Sequence, residues 1–477
     1  MSASILPFSL AKGNEKLTDR GAIAMVDEFA GAIGLPKKVK EEFPAPGSNR
    51  GIDPSAYVRT LIYHFSEGGR HIEDTWRIKA DGGFRSLIDL DRMPGPDAVG
   101  DWLRRTGSGG GQEALRHCND TLVRRYLRAD RKGEGEEKGM EGEGFGLEEA
   151  EEATAGEELT LDVDATIIEA DKGVIEADKG DGQTTYDGTV GCHPMLGFLS
   201  DGRRRPCCSH VQFRPGNASA QVGIEEAITW TLELVEEEER SLGYFRSDSA
   251  AYQSDVIDLL NDEGIGYTIT ADLDEAVQKA IREVPAERWQ AFRDRDGFES
   301  GRQISETVHT MEESDHEVRL VIWRELVIWR ELLEEPSLFA ETGEDFHRYG
   351  GIITNIPEEE MSAEEVLRFH RGRGNAERFI GEAKSGVGLR HLPCEKEEAN
   401  RIWFGVGMLT YNLLTLMQQE VLPDGWKHRT IQTLRRKALR LVGTVTKSAR
   451  QLTLQLRASC RQLRRLRTVR RQIYQLA

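Results

Sequence analysis

The segment Thr160-Leu-Asp162-Val-Asp164-Ala-Thr166 holds the first residues along the chain whose types and spacing could do chemistry. Polar and apolar residues alternate there, so a strand would place Asp162, Asp164 and both threonines on one face. Two carboxylates on one face are costly unless water, donors or cations meet them, and hard divalent cations select carboxylate oxygen. A solvated strand face would show the same alternation. A further carboxylate, Asp248, lies in Tyr244-Phe-Arg-Ser-Asp248-Ser, where an apolar strand ends and a helix begins. Open α/β sheets hold their sites at such strand ends. Asp248 or Ser249 would serve equally well as a helix N-cap.

The third segment runs from His370-Arg-Gly-Arg373-Gly-Asn-Ala-Glu377 to Lys384. On one continuous helix, at ~100° per residue, His370, Arg373, Glu377 and Lys384 fall on a single narrow polar stripe. Bases flanking a carboxylate suit a site where Glu377 holds a metal ion while Arg373 and Lys384 hold phosphate. Gly372 and Gly374 weaken the helix, so Arg373 is expected just outside its start. Glu382 competes as a carboxylate but lies off the stripe.

Together these segments resemble the DDE transposases of bacterial insertion sequences (DDE group 1 type). They are similar to the branch marked by Tyr, two residues, Arg, three residues, Glu, six residues, Lys; His370, Arg373, Glu377 and Lys384 keep the spacing with His in place of Tyr. Asp164-Ala-Thr166 resembles the first-aspartate motif, which favours Asp164 over Asp162, and Arg246-Ser-Asp248-Ser resembles the second. The likeness extends from the Met93-Pro-Gly-Pro96 turn to Tyr411-Asn412-Leu413 and an Arg-rich tail. The resemblance implies an α/β fold: an RNase H-like catalytic core with a β-rich insertion between Asp248 and Glu377, flanked by helical N- and C-terminal regions. It implies that Asp164, Asp248 and Glu377 are catalytic and bind two Mg²⁺ (or Mn²⁺) ions, with Arg373, Lys384 and His370 contacting phosphate. The implied partners are double-stranded DNA, as the element's terminal inverted repeats and as target, and a second copy in a homodimeric synaptic complex. A catalytically silent DNA-binding remnant and an RNase H-like repair or junction nuclease remain open alternatives.

Several elements must position these residues. Residues 1–132 read as short helices forming a DNA-end-binding region: Thr18 to Ala32, Asp53-Pro54 to Ser66, Ile72 to Lys79, and one opening at Pro94-Gly-Pro-Asp97. A helix-turn-helix-like module and an ordinary bundle both fit that pattern. Residues 133–158 are dominated by Glu and Gly with the single Lys138, composing an acidic linker expected to be disordered. The core resumes over 159–271, with strands at Leu159–Ile168, Met195–Leu199, Cys207–Phe213, Tyr244–Ser247 and Tyr267–Thr270, and helices at Ala220–Glu237 and Ser249–Asn261. The insertion, 272–360, is expected to use Arg302–His309, Val318–Leu333 and Tyr349–Thr354 as strands. The second part of the core, 361–426, contains the apolar stretch Trp403–Met417, expected as a buried helix. Tandem duplications, Ile168 to Val174 nearly repeated over Ile175 to Asp181 and Leu320 to Glu325 repeated over Leu326 to Glu331, have too short a period for a solenoid.

Charge is segregated. Residues 427–477 carry many Lys and Arg but no Asp or Glu, on a chain of net charge −19. Such a tail can displace condensed counterions from a nucleic-acid backbone. It reads as two amphipathic helices, Leu434–Leu456 and Ala458–Leu476, which could instead pack on the rest of the chain. The six cysteines show neither a CxxC pair nor Cys/His ligand spacing, which argues against a zinc or disulfide framework. No apolar run reaches the ~20 residues of a membrane span, and the first residues lack a signal-peptide pattern, so a cytoplasmic protein is expected; the resemblance implies a prokaryotic, nucleoid-associated one.

Overall fold

The computed structural model describes residues 16–130, 158–169, 183–185, 188–293, 299–311, 317–326, 347–448 and 451–477. Nearly all of the acidic linker, most of the first duplication and the end of the second lie outside these residues.

After the short strand β1 (Leu17–Thr18) come seven helices: α1 (Ile23–Ala32), α2 (Leu35–Glu42), α3 (Pro54–Glu67), α4 (Thr75–Ala80), α5 (Gly82–Arg85), α6 (Pro96–Gly107) and α7 (Gly111–Asp130). Local signals set their ends. Asp53 caps α3 by accepting from the Ser55 amide at 2.9 Å, Pro54 occupies its first turn, and Gly68 closes it in the left-handed region at φ 81°. The residues joining α6 to α7, Ser108-Gly-Gly110, carry no helical signal, and α7 was not evident in the sequence pattern.

The core begins with β2 (Leu159–Ala165). The connection that follows holds a small sheet of β3 (Ile168–Glu169), β4 (Gln183–Thr184) and β5 (Val190–Cys192). Next come β6 (Met195–Ser200), β7 (Cys207–Gln212), α8 (Ile224–Glu237), β8 (Leu242–Ser247), α9 (Ser254–Asp262) and β9 (Gly266–Thr270). Strands β2, β6 and β7 form an antiparallel meander, whereas β8 runs parallel to β2 and β9 parallel to β8. The resulting order β7-β6-β2-β8-β9 is the α/β core expected from the sequence. The insertion supplies α10 (Glu275–Arg282), β10 (Gln290–Arg293), β11 (Glu299–Thr310), β12 (Glu317–Leu326) and β13 (His347–Thr354). Because β13 pairs antiparallel with β9, the insertion prolongs the core sheet to nine strands instead of standing apart. Of the strand expected over Val318–Leu333, only the part to Leu326 lies within the described residues.

Three helices complete the core: α11 (Ala363–Arg371), α12 (Gly374–Glu382) and α13 (Glu397–Val421). Helix α13 is buried on nearly every side, with Trp403, Tyr411 and Met417 fully enclosed. Helices α3, α6 and α7 pack directly on it, so residues 16–130 form a bundle that shares one apolar core with the sheet. Asn412 explains one quoted motif. Its carboxamide accepts from the Cys208 amide at 2.8 Å and donates to the Cys208 carbonyl at 2.8 Å and to Asn119 at 2.7 Å, which closes the outer edge of β7.

The tail corrects an expectation. After α14 (Asp424–Lys427) and α15 (Ile431–Leu434), the region expected as a helix to Leu456 forms the hairpin β14 (Gly443–Ser448) and β15 (Gln451–Leu456). The β-branched Thr444, Val445, Thr446 and Thr453, with alternating Gln and Leu in β15, favour strand over helix. Strand β14 also pairs with β1. The last helix, α16 (Cys460–Leu476), forms as expected with Ser459 and Gln462 as its capping box. It buries Val469 and Ile473 and sets Arg470 against Glu28 at 2.6 Å. Among the described residues, no helix is long and apolar enough to cross a membrane.

Candidate active site

Strand register decides between the two carboxylates of β2. Asp162 lies opposite Arg246 on the parallel strand β8, and the two side chains form a buried bidentate pair at 2.7 and 2.8 Å. Arg246 also donates to the Phe369 carbonyl at 3.0 Å, tying β8 to α11. One step further along the same face come Asp164 on β2 and Asp248 immediately after β8. These two carboxylates therefore sit side by side at the carboxyl ends of adjacent parallel strands. Asp162 has its charge compensated by a buried ion pair; Asp164 forms no such pair among the described residues. Burial, followed by the nearby Asp248 and Glu377 carboxylates, pushes the Asp164 carboxyl up to about 7, with Arg373 opposing the shift. Asp248 additionally accepts from the Ala250 amide at 3.0 Å, so the N-cap reading of this residue also holds.

The third segment is not one continuous helix. Gly372 and Arg373 keep helical dihedral angles but bond in tighter i to i+3 turns, from the Gly372 amide to Phe369 and from the Arg373 amide to His370. Arg373 thus becomes the N-cap of α12, as the flanking glycines suggested. Glu377, in the first turn of α12, is exposed and pairs with Arg373 at 3.0 Å. Lys384 lies in the π-turn after α12, where its ammonium donates to the Ile167 carbonyl at 2.7 Å, just beyond β2. Burial lowers its pKa, and the nearby Asp164 charge works in the opposite direction.

His370 departs from the expected arrangement. Its ring is buried between the Thr268 and Thr270 hydroxyls at 3.1 and 3.0 Å, and burial drives its pKa down to about 3. A neutral, enclosed imidazole bonded to β9 cannot hold phosphate, so its assignment as a phosphate contact is withdrawn. Glu382, the competing carboxylate, pairs with the buried Arg205 and accepts from the Ile431 amide. It belongs to the scaffold.

The profile of the family described as transposase DDE domain group 1 matches residues 15–477. The chain belongs to this family of transposases. No curated protein matches it. Among solved structures it is similar to a piggyBac transposase in a synaptic complex with hairpin DNA, with a TM-score of 0.39 and 10% identity over 86% of this chain and 76% of that one.

DDE transposases generally use divalent metal ions. Three carboxylates, one of them raised by burial and by the other two, are a donor set whose mutual repulsion a divalent cation would relieve. Among the described residues, no group of three His, Cys, Asp or Glu side chains is arranged as ligands. Glu377 is turned to Arg373. Sequence reasoning missed Arg246 and Arg205. The first had a signal: an arginine two residues before Asp248 has the same strand parity as Asp162 two residues before Asp164. Arg205 had none, because its partner Glu382 lies far away in sequence.

Proposed function

We propose that this transposase binds the terminal inverted repeats of its own mobile element, cleaves the ends and transfers the strands to target DNA. The observation that carries the reading is the pairing of Asp162 with Arg246, which leaves Asp164 and Asp248 as adjacent carboxylates at one end of the sheet, with no buried arginine paired to either among the described residues. Asp164, Asp248 and Glu377 would hold two Mg²⁺ or Mn²⁺ ions. When bound, such ions supply Lewis acidity for in-line phosphoryl transfer, favouring both the attacking and the leaving oxygen.

The chain's own residues do the remaining work. Lys384, fixed by the Ile167 carbonyl beside the end of β2, places a cation where phosphate charge must be neutralised. Arg373 can pair with Glu377 or with a phosphate, and its planar guanidinium suits either partner. The Asp162–Arg246 pair holds β2, β8 and α11 in register, so that the carboxylates converge. The test is to incubate the full chain with Mg²⁺ and a duplex carrying the element's ends. Specific strand breaks at the ends, followed by joining to a second duplex, are expected; binding without any breakage would leave only a DNA-binding remnant.

A further inference from the structure

The two regions marked separately for DNA by the sequence meet at one small sheet. Strand β1 comes from the N-terminal region, and β14 and β15 come from the basic tail. An open groove of about 930 Å³ lies against this sheet. Its charged lining consists of Lys16, Lys447 and Arg457, with no carboxylate; Ser86, Thr446 and Gln455 add neutral hydrogen-bonding groups. All three cations are exposed, and no ion pair among the described residues engages them. This contrasts with other basic residues of the tail. Arg440 pairs with Asp19 and Arg470 with Glu28. In a chain with 82 acidic against 63 basic residues, an acid-free groove with three unpaired cations is an unusual concentration of positive charge.

The charge continues into the last helix. Arg461, Arg464, Arg465, Arg467 and Arg471 are all exposed on α16, and Arg464, Arg467 and Arg471 lie on the side away from the buried Val469 and Ile473. The groove is open and far larger than a single phosphate group needs, and its donors are hydroxyls, an amide and cations. Such donors suit phosphate and sugar oxygens, contacts that fix position on a duplex and carry no sequence information.

We propose that this groove carries a stretch of the sugar-phosphate backbone of duplex DNA, bound without regard to sequence and continuing onto α16. The proposal rests on the transposase reading and gives its DNA a place. The test is a salt titration of binding to a random-sequence duplex, comparing the full chain with the Lys16→Gln/Lys447→Gln/Arg457→Gln variant. Each phosphate contact contributes about 0.9 to the slope of log K against log salt, so the slope should flatten by about 2.7. The loss should be equal on duplexes of unrelated sequence. A variant with the wild-type melting temperature and an unchanged slope overturns the groove, as does a loss confined to one sequence. Failure here is separable from failure of the catalytic reading, because end cleavage by the three-carboxylate site is scored independently on the wild-type chain.

Discussion

Replacing Asp164 by Asn should stabilise the metal-free protein. Burial and the carboxylates of Asp248 and Glu377 hold the Asp164 proton in the folded state up to about 7, whereas an unfolded chain releases it at about 4. The folded state therefore binds the extra proton, and stability falls as pH rises from about 4 through about 7. Each pKa unit corresponds to about 1.4 kcal/mol, which makes the ceiling about 4 kcal/mol at pH 8. Asp164 is only partly buried, and solvent screening brings the expected gain to roughly 2 kcal/mol. The assay is urea unfolding of wild type and Asp164→Asn in EDTA at pH 4.5, 6 and 8. The variant should match wild type to within about 1 kcal/mol at the lowest pH and exceed it increasingly towards pH 8. Divalent cation should erase the difference by stabilising wild type alone. A variant less stable than wild type at pH 8 would show that Asp164 is compensated within the protein, and the argument for a cation-seeking cluster would fall.

Other substitutions should behave differently. Asp162→Asn leaves Arg246 buried and unpaired, so it should cost about 3–5 kcal/mol in unfolding experiments while cleavage, assayed at low temperature, persists. His370→Gln should reduce stability through the β9 hydrogen bonds but leave the salt dependence of DNA binding unchanged; a flatter slope would restore His370 as a phosphate contact. A fragment ending at residue 130 should lack cooperative unfolding by circular dichroism, because α13, around which its helices pack, is missing. Deleting residues 427–477 should lower the melting temperature as well as DNA affinity, since Val469, Ile473 and the β1–β14 pairing are lost with it.

The order of strands and helices in the core was legible because each segment announced itself locally: alternation in β2, apolar runs in β6 and β8, and the Asp53-Pro54 start of α3. Long-range pairing was not. Nothing in Arg302–His309 or Tyr349–Thr354 says that the insertion will join the edge of β9, because the register is set by partners outside each segment. The buried stretch Trp403–Met417 was recognisable as a helix, yet its place as the axis of the N-terminal bundle depends on α3, α6 and α7. In the tail, Arg and Leu at mixed spacing concealed a hairpin that its threonines and Gly443 indicate only weakly. At the site, the motif spacing pointed to Asp164, Asp248, Glu377, Arg373 and Lys384, and these lie around one end of the sheet. His370 was misplaced because its helical stripe position is shared with a residue facing inward, and a stripe on an idealised helix cannot distinguish a solvent-facing edge from a buried one.

The most direct test of the three-carboxylate site is Mg²⁺-dependent cleavage of an element-end duplex by the full chain and four variants: Asp162→Asn, Asp164→Asn, Asp248→Asn and Glu377→Gln. DNA binding should survive in all of them. Cleavage should disappear with Asp164→Asn, Asp248→Asn and Glu377→Gln and remain measurable with Asp162→Asn; normal cleavage by the Asp164 or Asp248 variant would contradict the assignment.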